Sequence, residues 1–383
     1  MSKDLRIERV EAWACSLPLS QPIDFGAFQV HERHHIVVRL RTGGGLVSEC
    51  VAQSRGSPID VAFADLIAPK LIGRDSTEIG AIKTDVENSL LALETDGVLG
   101  RAWSVAEICL QDLRAQAAGL PLWRMLGGCK KRAPIQLVEG YALVGEANEA
   151  FAERLAARVV EGYGLLKIEA AHYASTEEIL ARLRAFRRLV GEDPGVVLDF
   201  AWTWRDAGSH RDFVLQLAEL GVRWIEDPFP RTRVSAYRDL RALSPVPVGC
   251  GDEATRPSDL TALMRTGAID QLRADATTIG GIEALRLLTA EARILGLGVS
   301  YHEHPEIHEH CVFGFEGADS IEIFPADRPF DRVHDLVQES VFNRAQNGYL
   351  SATEAPGTGV RLRSDVVQAH AHRHHVIGGT RHD

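Results

Sequence analysis

No C-x-x-C pair occurs among the six cysteines, Cys15, Cys50, Cys109, Cys129, Cys250 and Cys311, which are scattered along 383 residues. That pattern excludes the common zinc and dithiol motifs and any disulfide framework. It leaves small buried hydrophobes in a reducing compartment. Basic residues are also short: 42 Lys and Arg against 53 Asp and Glu give a net charge of −11. Binding a phosphate backbone needs clustered Lys and Arg, so nucleic acid is not an expected partner. No run of about 18 apolar residues is present, and the opening MSKDLRIERVEAW has no apolar signal core. The expectation is a cytoplasmic protein with no membrane partner.

The remaining composition, 45% hydrophobic and 25% charged, is that of an ordinary globular enzyme. The length suits one barrel with a smaller attached domain. Residues 5–15 and 35–50 read as strands, with HHIVVRL and GLVSEC joined by a Gly-rich hairpin turn at RTGGG. The segment between them, SQPIDFGAFQVHERH, reads as a long polar connection able to act as a lid. From Ile59 to Met125 the pattern is helical, stopping at Gly127-Gly128.

After Arg132 the texture changes to strand–helix alternation. Apolar runs lie at Ile135–Tyr141, Gly164–Ile168, Gly195–Asp199, Val222–Ile225, Val246–Gly249, Ile269–Leu272, Leu297–Tyr301 and Ser320–Ile323. Eight such runs predict an α/β fold, a (β/α)₈-type barrel over 131–350. An N-terminal α+β domain would cover 1–130. Residues 351–383 would pack back on that domain, with a mobile His-rich tail.

Asp199, Glu226 and Asp252 stand 27 and 26 residues apart, each just past an apolar run. Asp275 and His302 continue the series, Lys167 precedes it and Glu322 follows it. One strand and its crossover helix take about this many residues, so these side chains gather at one barrel mouth. Three converging carboxylates repel one another unless a cation lies between them. Oxygen ligands without Cys favour Mg²⁺, or Mn²⁺, over zinc or copper.

The motifs AGLPLWRMLGG, WIEDP, ADATTIGG and SYHEHPEIHEH resemble those of the enolase superfamily, in its mandelate racemase-like subgroup. The resemblance spans nearly the whole chain. It implies an enolase-like barrel with an N-terminal capping domain. It also implies Mg²⁺ ligands at Asp199, Glu226 and Asp252, and removal of a proton α to a carboxylate. Asp252 is a shortened replacement for the usual Glu, which makes the adjacent Glu253 an alternative ligand. His302 is the implied base, oriented by Asp275. Glu322 matches the position that hydrogen-bonds a substrate carboxylate oxygen, and is expected to be protonated so that it can donate. His31 and His34 fall in the segment that sets specificity in the family. Trp204 is expected to pack at the barrel rim.

The chain departs from the family at strand two. Where relatives carry Lys-x-Lys, this sequence reads Lys167-Ile168-Glu169. Lys167 remains to neutralise a substrate carboxylate, but the second Lys base is an acid. Racemisation needs proton transfer on both faces of a planar intermediate, whereas β-elimination of water needs one. The expected reaction is dehydration of an acid sugar, an aldonate or aldarate, to a 2-keto-3-deoxy acid. Glu169 then serves as an acid, a substrate ligand or an ion-pair partner of Lys167. The alternatives are a racemase or epimerase of a 2-hydroxy acid and a non-catalytic barrel. A cycloisomerase would carry Lys where Asp275 stands. A zinc protease would need H-E-x-x-H, which His302-Glu303-His304-Pro305-Glu306 breaks. Barrels of this family are commonly oligomeric, which makes a homo-oligomer acting on a small carboxylate the expected form.

Overall fold

A computed structural model describes residues 4–25, 29–143, 145–171, 173, 175–328 and 330–379. Strands β1 (Ile7–Asp24), β2 (Gln29–Thr42) and β3 (Val47–Gln53) form an antiparallel meander. Most of the segment read as a long connection able to act as a lid belongs to the far half of the β1–β2 hairpin, and its residues 26–28 lie outside the described residues. Its register continues through Pro18↔Glu32 to Ile23↔Val30. The reason is apolar. Ile23 and Phe25 are buried against Val138, Tyr141, Phe324 and Phe330 at the barrel mouth, so the strands gain by extending. Helices follow, of which Gly97–Ala118 packs on β3.

The barrel strands are β4 (Arg132–Val138), β5 (Leu165–Glu169), β6 (Gly195–Asp199), β7 (Val222–Glu226), β8 (Val248–Cys250), β9 (Gln271–Ala274), β10 (Gly298–Tyr301) and β11 (Ile321–Ile323). Each of β4 to β9 pairs in parallel with the next, and β9 with β10. Closure comes from β11 lying beside β4, Ile321↔Ile135, with Ala318 bridged to Val299 on the other side. Side chains alternate across a strand. In β5, Leu166 and Ile168 join the apolar core, while Lys167 and Glu169 line the cavity at the barrel mouth.

The crossover helices are amphipathic, as the sequence pattern requires. Thr176–Val190 is capped by Ser175, whose hydroxyl accepts from the Glu178 N–H at 3.2 Å. It buries Ile179, Leu180, Leu183 and Phe186 and places Arg187 and Arg188 in its last turn. Two short strands, β12 (Ala345–Gln346) and β13 (Tyr349–Ser351), follow the barrel, and β13 pairs with the start of β4.

The His-rich tail corrects the expectation of mobility. Residues Ala371–Gly378 form β14, which pairs antiparallel with β1 at the sheet edge. His374 stacks on Trp13, ring centres 4.7 Å apart. On the other side Arg373 and His375 converge on the buried Asp60 carboxylate at 2.7 and 2.9 Å. A sheet edge plus a buried anion is what orders it. No helix among the described residues is long and apolar enough to cross a membrane.

Candidate active site

Strand register sets the carboxylates level. Glu169 pairs with Asp199, and Asp199 with Glu226, along β5, β6 and β7. Asp252 lies two residues past β8. Oxygens of Asp199, Glu226 and Asp252 come within 4.8 Å of one another, and all three residues are buried. The turns at Asp199, Glu226, Asp252 and His302 carry non-glycine residues at positive φ. These are Ala201 and Trp202, Asp227, Glu253, and Glu303 with His304. Such backbone costs about 1–3 kcal/mol per residue and persists only where its surroundings over-determine it. Asp227 supplies part of that. Its carboxylate accepts from the N–H groups of Gly251 at 3.2 Å and Asp252 at 3.0 Å. It thereby holds the turn that presents Asp252. Gly251 is required in that turn, because a Cβ there would meet the Arg273 carbonyl oxygen at 1.6 Å.

The Lys167 ammonium lies among the three carboxylates. It contacts Glu226 directly, Asp199 at 2.9 Å, Asp252 at 3.5 Å and Glu322 at 3.3 Å. Arg273, fully buried on β9, faces Glu226 at 2.9 Å and Glu322 at 2.5 Å. Burial, reinforced by Glu226, pushes Asp199 and Asp252 up from the usual carboxylate range. Against the same burial, Arg273 and Lys167 hold Glu226 down to about 2. Asp252 Oδ1 is buried without a hydrogen-bond partner. Three converging carboxylates, one with an orphaned oxygen, already gathered around a cationic side chain, fit a divalent hard cation.

These contacts settle several alternatives. Glu253 is held by Arg55 at 2.6 Å and by Arg101, so it is not a competing ligand for Asp252. Glu169 is absent from the ion pairs of Lys167. Its Oε1 accepts from the Ala171 N–H at 3.1 Å, and burial with Asp199 nearby pushes its carboxyl well up. The ion-pair role is therefore withdrawn. Glu322 accepts at both oxygens, from Gln136 at 2.8 Å, Arg273, Lys167 and the Glu303 N–H at 3.0 Å. A donating, protonated Glu322 does not match four donors aimed at it.

His302 and Asp275 meet as the spacing predicts, with Nδ1 to Oδ2 at 3.5 Å, because Ala274 and Tyr301 are register partners. Nε2 faces Asp252, also at 3.5 Å. Burial alone would lower the imidazole pKa, but Asp252, Glu303 and Asp275 outweigh it and hold the ring well above its ordinary value. The other histidines of that stretch are structural. His308 Nε2 accepts from the Ala276 N–H at 3.0 Å, and His310 bonds the Thr358 carbonyl at 3.0 Å. Burial pushes both down to about 4.

Residues 9–127 match the mandelate racemase/muconate lactonizing enzyme N-terminal domain, and 150–366 the enolase C-terminal domain-like family. The chain belongs to the enolase superfamily, in its mandelate racemase-like branch. Among its relatives, muconate cycloisomerase 1 of Rhodococcus opacus is 26% identical, over 95% of this chain and 98% of that one. Arabinonate dehydratase of Saccharolobus solfataricus is 22% identical, over 88% and 91%. The fold superposes on L-talarate dehydratase from Polaromonas sp. JS666, complexed with Mg and L-glucarate. There the TM-score is 0.88 and the identity 23%, over 98% and 100% of the chains.

In this superfamily member the strand ends open into a cavity of about 920 Å³. Lys167, Glu169, Asp199, Asp252, His302 and Glu322 all line it. His31 and His34 line it too, from the exposed part of the hairpin. His34 is occupied by Ser16 at 2.9 Å. Trp204 stays out, stacked on His210 at 3.9 Å, while Trp202 reaches the cavity. Sequence reasoning missed Arg33, Arg55, Arg101, Tyr141 and Glu303, which also line it. Arg33, Arg55 and Arg101 lie off the barrel-strand ends, so the strand spacing carried no signal for them.

Proposed function

We propose that the protein dehydrates an acid sugar, an aldonic or aldaric acid, to the 2-keto-3-deoxy acid with Mg²⁺ as cofactor. The observation that carries this reading is the unequal pair of groups flanking the ligands. A buried imidazole, His302, follows β10 with Asp275 at 3.5 Å, and a buried carboxyl stands on β5 where a lysine base would be needed. Dehydratases among the relatives, one of them complexed with Mg, support the same reading.

His302 Nε2 takes the proton α to the substrate carboxylate. As the β carbon–oxygen bond breaks, the same nitrogen returns a proton to the departing hydroxyl, so water leaves and the enol tautomerises to the ketone. Asp275 lies beside Nδ1 and stabilises the ring in its charged form. Lys167 neutralises the substrate carboxylate, while Glu322, itself held by Arg273, fixes the ammonium. When bound at Asp199, Glu226 and Asp252, Mg²⁺ supplies Lewis-acid stabilisation of the charge that develops on that carboxylate. Glu169, protonated by burial, donates a hydrogen bond to a substrate hydroxyl and makes a poor base. That disfavours racemisation.

The test is a screen of aldonic and aldaric acids with Mg²⁺, detecting 2-keto acids as semicarbazones. Glu169→Gln, which keeps a donor, should retain turnover within about tenfold. A loss of about 10³ would transfer the leaving-group proton to Glu169 instead. Absence of both product and α-proton exchange in D₂O for every acid would overturn the proposal in favour of a silent barrel.

A further inference from the structure

The capping hairpin brings to the cavity a charge that no carboxylate among the described residues pairs directly. Arg33, on β2, is 2% exposed, and its side chain lines the cavity. Nε donates to the Phe330 carbonyl at 2.8 Å, which fixes the plane of the guanidinium. Nη2 is buried and has no hydrogen-bond partner. No carboxylate among the described residues forms an ion pair with Arg33. Every other lysine or arginine lining the cavity is matched. Arg55 and Arg101 pair with Glu253, Lys167 with the ligand carboxylates, and Arg231 with Asp259 at 3.8 Å. Glu303, close by, already faces Arg55 at 3.5 Å and His302 at 3.6 Å.

Burying an unpaired guanidinium is strongly unfavourable, and a ligand that brings its own anion removes the penalty. The carboxylate that reacts has its cations at Lys167 and the ligand triad. We propose that Arg33 binds a second carboxylate of the substrate, which makes the natural substrate an aldaric diacid and not an aldonic monoacid. This rests on the acid-sugar reading of the site. An anchored, planar guanidinium with a free Nη2 suits a carboxylate better than a hydroxyl, because the charge-assisted bond is the stronger one.

The experiment measures binding, not turnover, by calorimetry on the Mg²⁺-loaded His302→Asn protein. The probes are pentaric and hexaric acids, each set against the aldonic acid of the same configuration. At least one diacid should bind about tenfold or more tightly than its monoacid partner. Adding Arg33→Gln should weaken that diacid roughly 10- to 100-fold and change the monoacid by less than about threefold. Arg33→Lys, which keeps the charge, should restore part of the preference. Equal affinity within every pair overturns the proposal, and that comparison needs no Arg33 variant to fold. Equal weakening of both pair members by Arg33→Gln also overturns it, marking Arg33 as a strut to Phe330. If acids bind without discrimination, the dehydratase reading stands and the Arg33 assignment falls. If no acid binds, both fall.

Discussion

The barrel wall and the capping wall of the cavity handle charge in opposite ways. On the barrel, Lys167 and Arg273 are each shared among several carboxylates, and Glu226 is shared back between both. Every cation there has an anion supplied by a neighbouring strand. On the capping strand β2, Arg33 forms no ion pair among the described residues, and His35 is fully buried with neither ring nitrogen bonded. The difference follows from construction. Eight short strands fixed by a closed ladder can aim charges at one another. A long hairpin reaching over the mouth packs largely on apolar side chains and carries Arg33 into the cavity without an ion-pair partner. The barrel thus pairs its charges within itself, and the proposed substrate contact at Arg33 falls to the cap.

The sharpest way to break that division is at His302. His302→Asn should cost at least about 10³ in turnover of any acid the enzyme accepts, measured by semicarbazone formation, with unchanged circular dichroism. Retention of full activity would move the base off His302. Next comes the shared-charge network. Glu226→Gln leaves Lys167 and Arg273 short of an anion in a fully buried site, and should cost about 3–5 kcal/mol in urea unfolding with chelator present. A loss under about 1 kcal/mol would show that the remaining carboxylates suffice and that the network is redundant.

The capping strand is probed by pH. Burial, with His304 and Arg33 nearby, pushes His35 down to about 3, against about 6.5 in an unfolded chain. The unfolded state therefore takes up a proton below pH 6.5 that the folded state refuses until about pH 3, so stability falls with pH through that window. His35→Leu removes this penalty. Its stability relative to the parent should improve by about 2 kcal/mol between pH 7.5 and pH 5. A gap constant with pH would mean that His35 is protonated, and so partnered, when folded. The smallest effect belongs to the tail. Arg373 is 43% exposed in its pair with Asp60, so Arg373→Ala should lower the melting free energy by less than about 1 kcal/mol. A larger loss would make β14 a structural element of the capping sheet and not an edge added to it.

Local pattern and spacing carried the barrel. Eight apolar runs, each with a strand-length period and an intervening amphipathic helix, leave little choice but a closed parallel array. Asp199, Glu226, Asp275 and His302 were legible for the same reason: each follows its run directly, and parallel pairing brings such residues level. Three things were decided by tertiary structure alone. The hairpin lengthens because Ile23 and Phe25 find apolar partners more than 100 residues away in Val138, Tyr141, Phe324 and Phe330. The histidine tail becomes a strand because β1 offers an open edge and Asp60 a buried anion. Arg33 becomes an unpaired charge only because β2 carries it over the mouth of the barrel. Chemistry that repeats along the chain can be read from the chain. A group whose partner is distant, or arrives with the substrate, acquires its meaning only once the chain has closed around it.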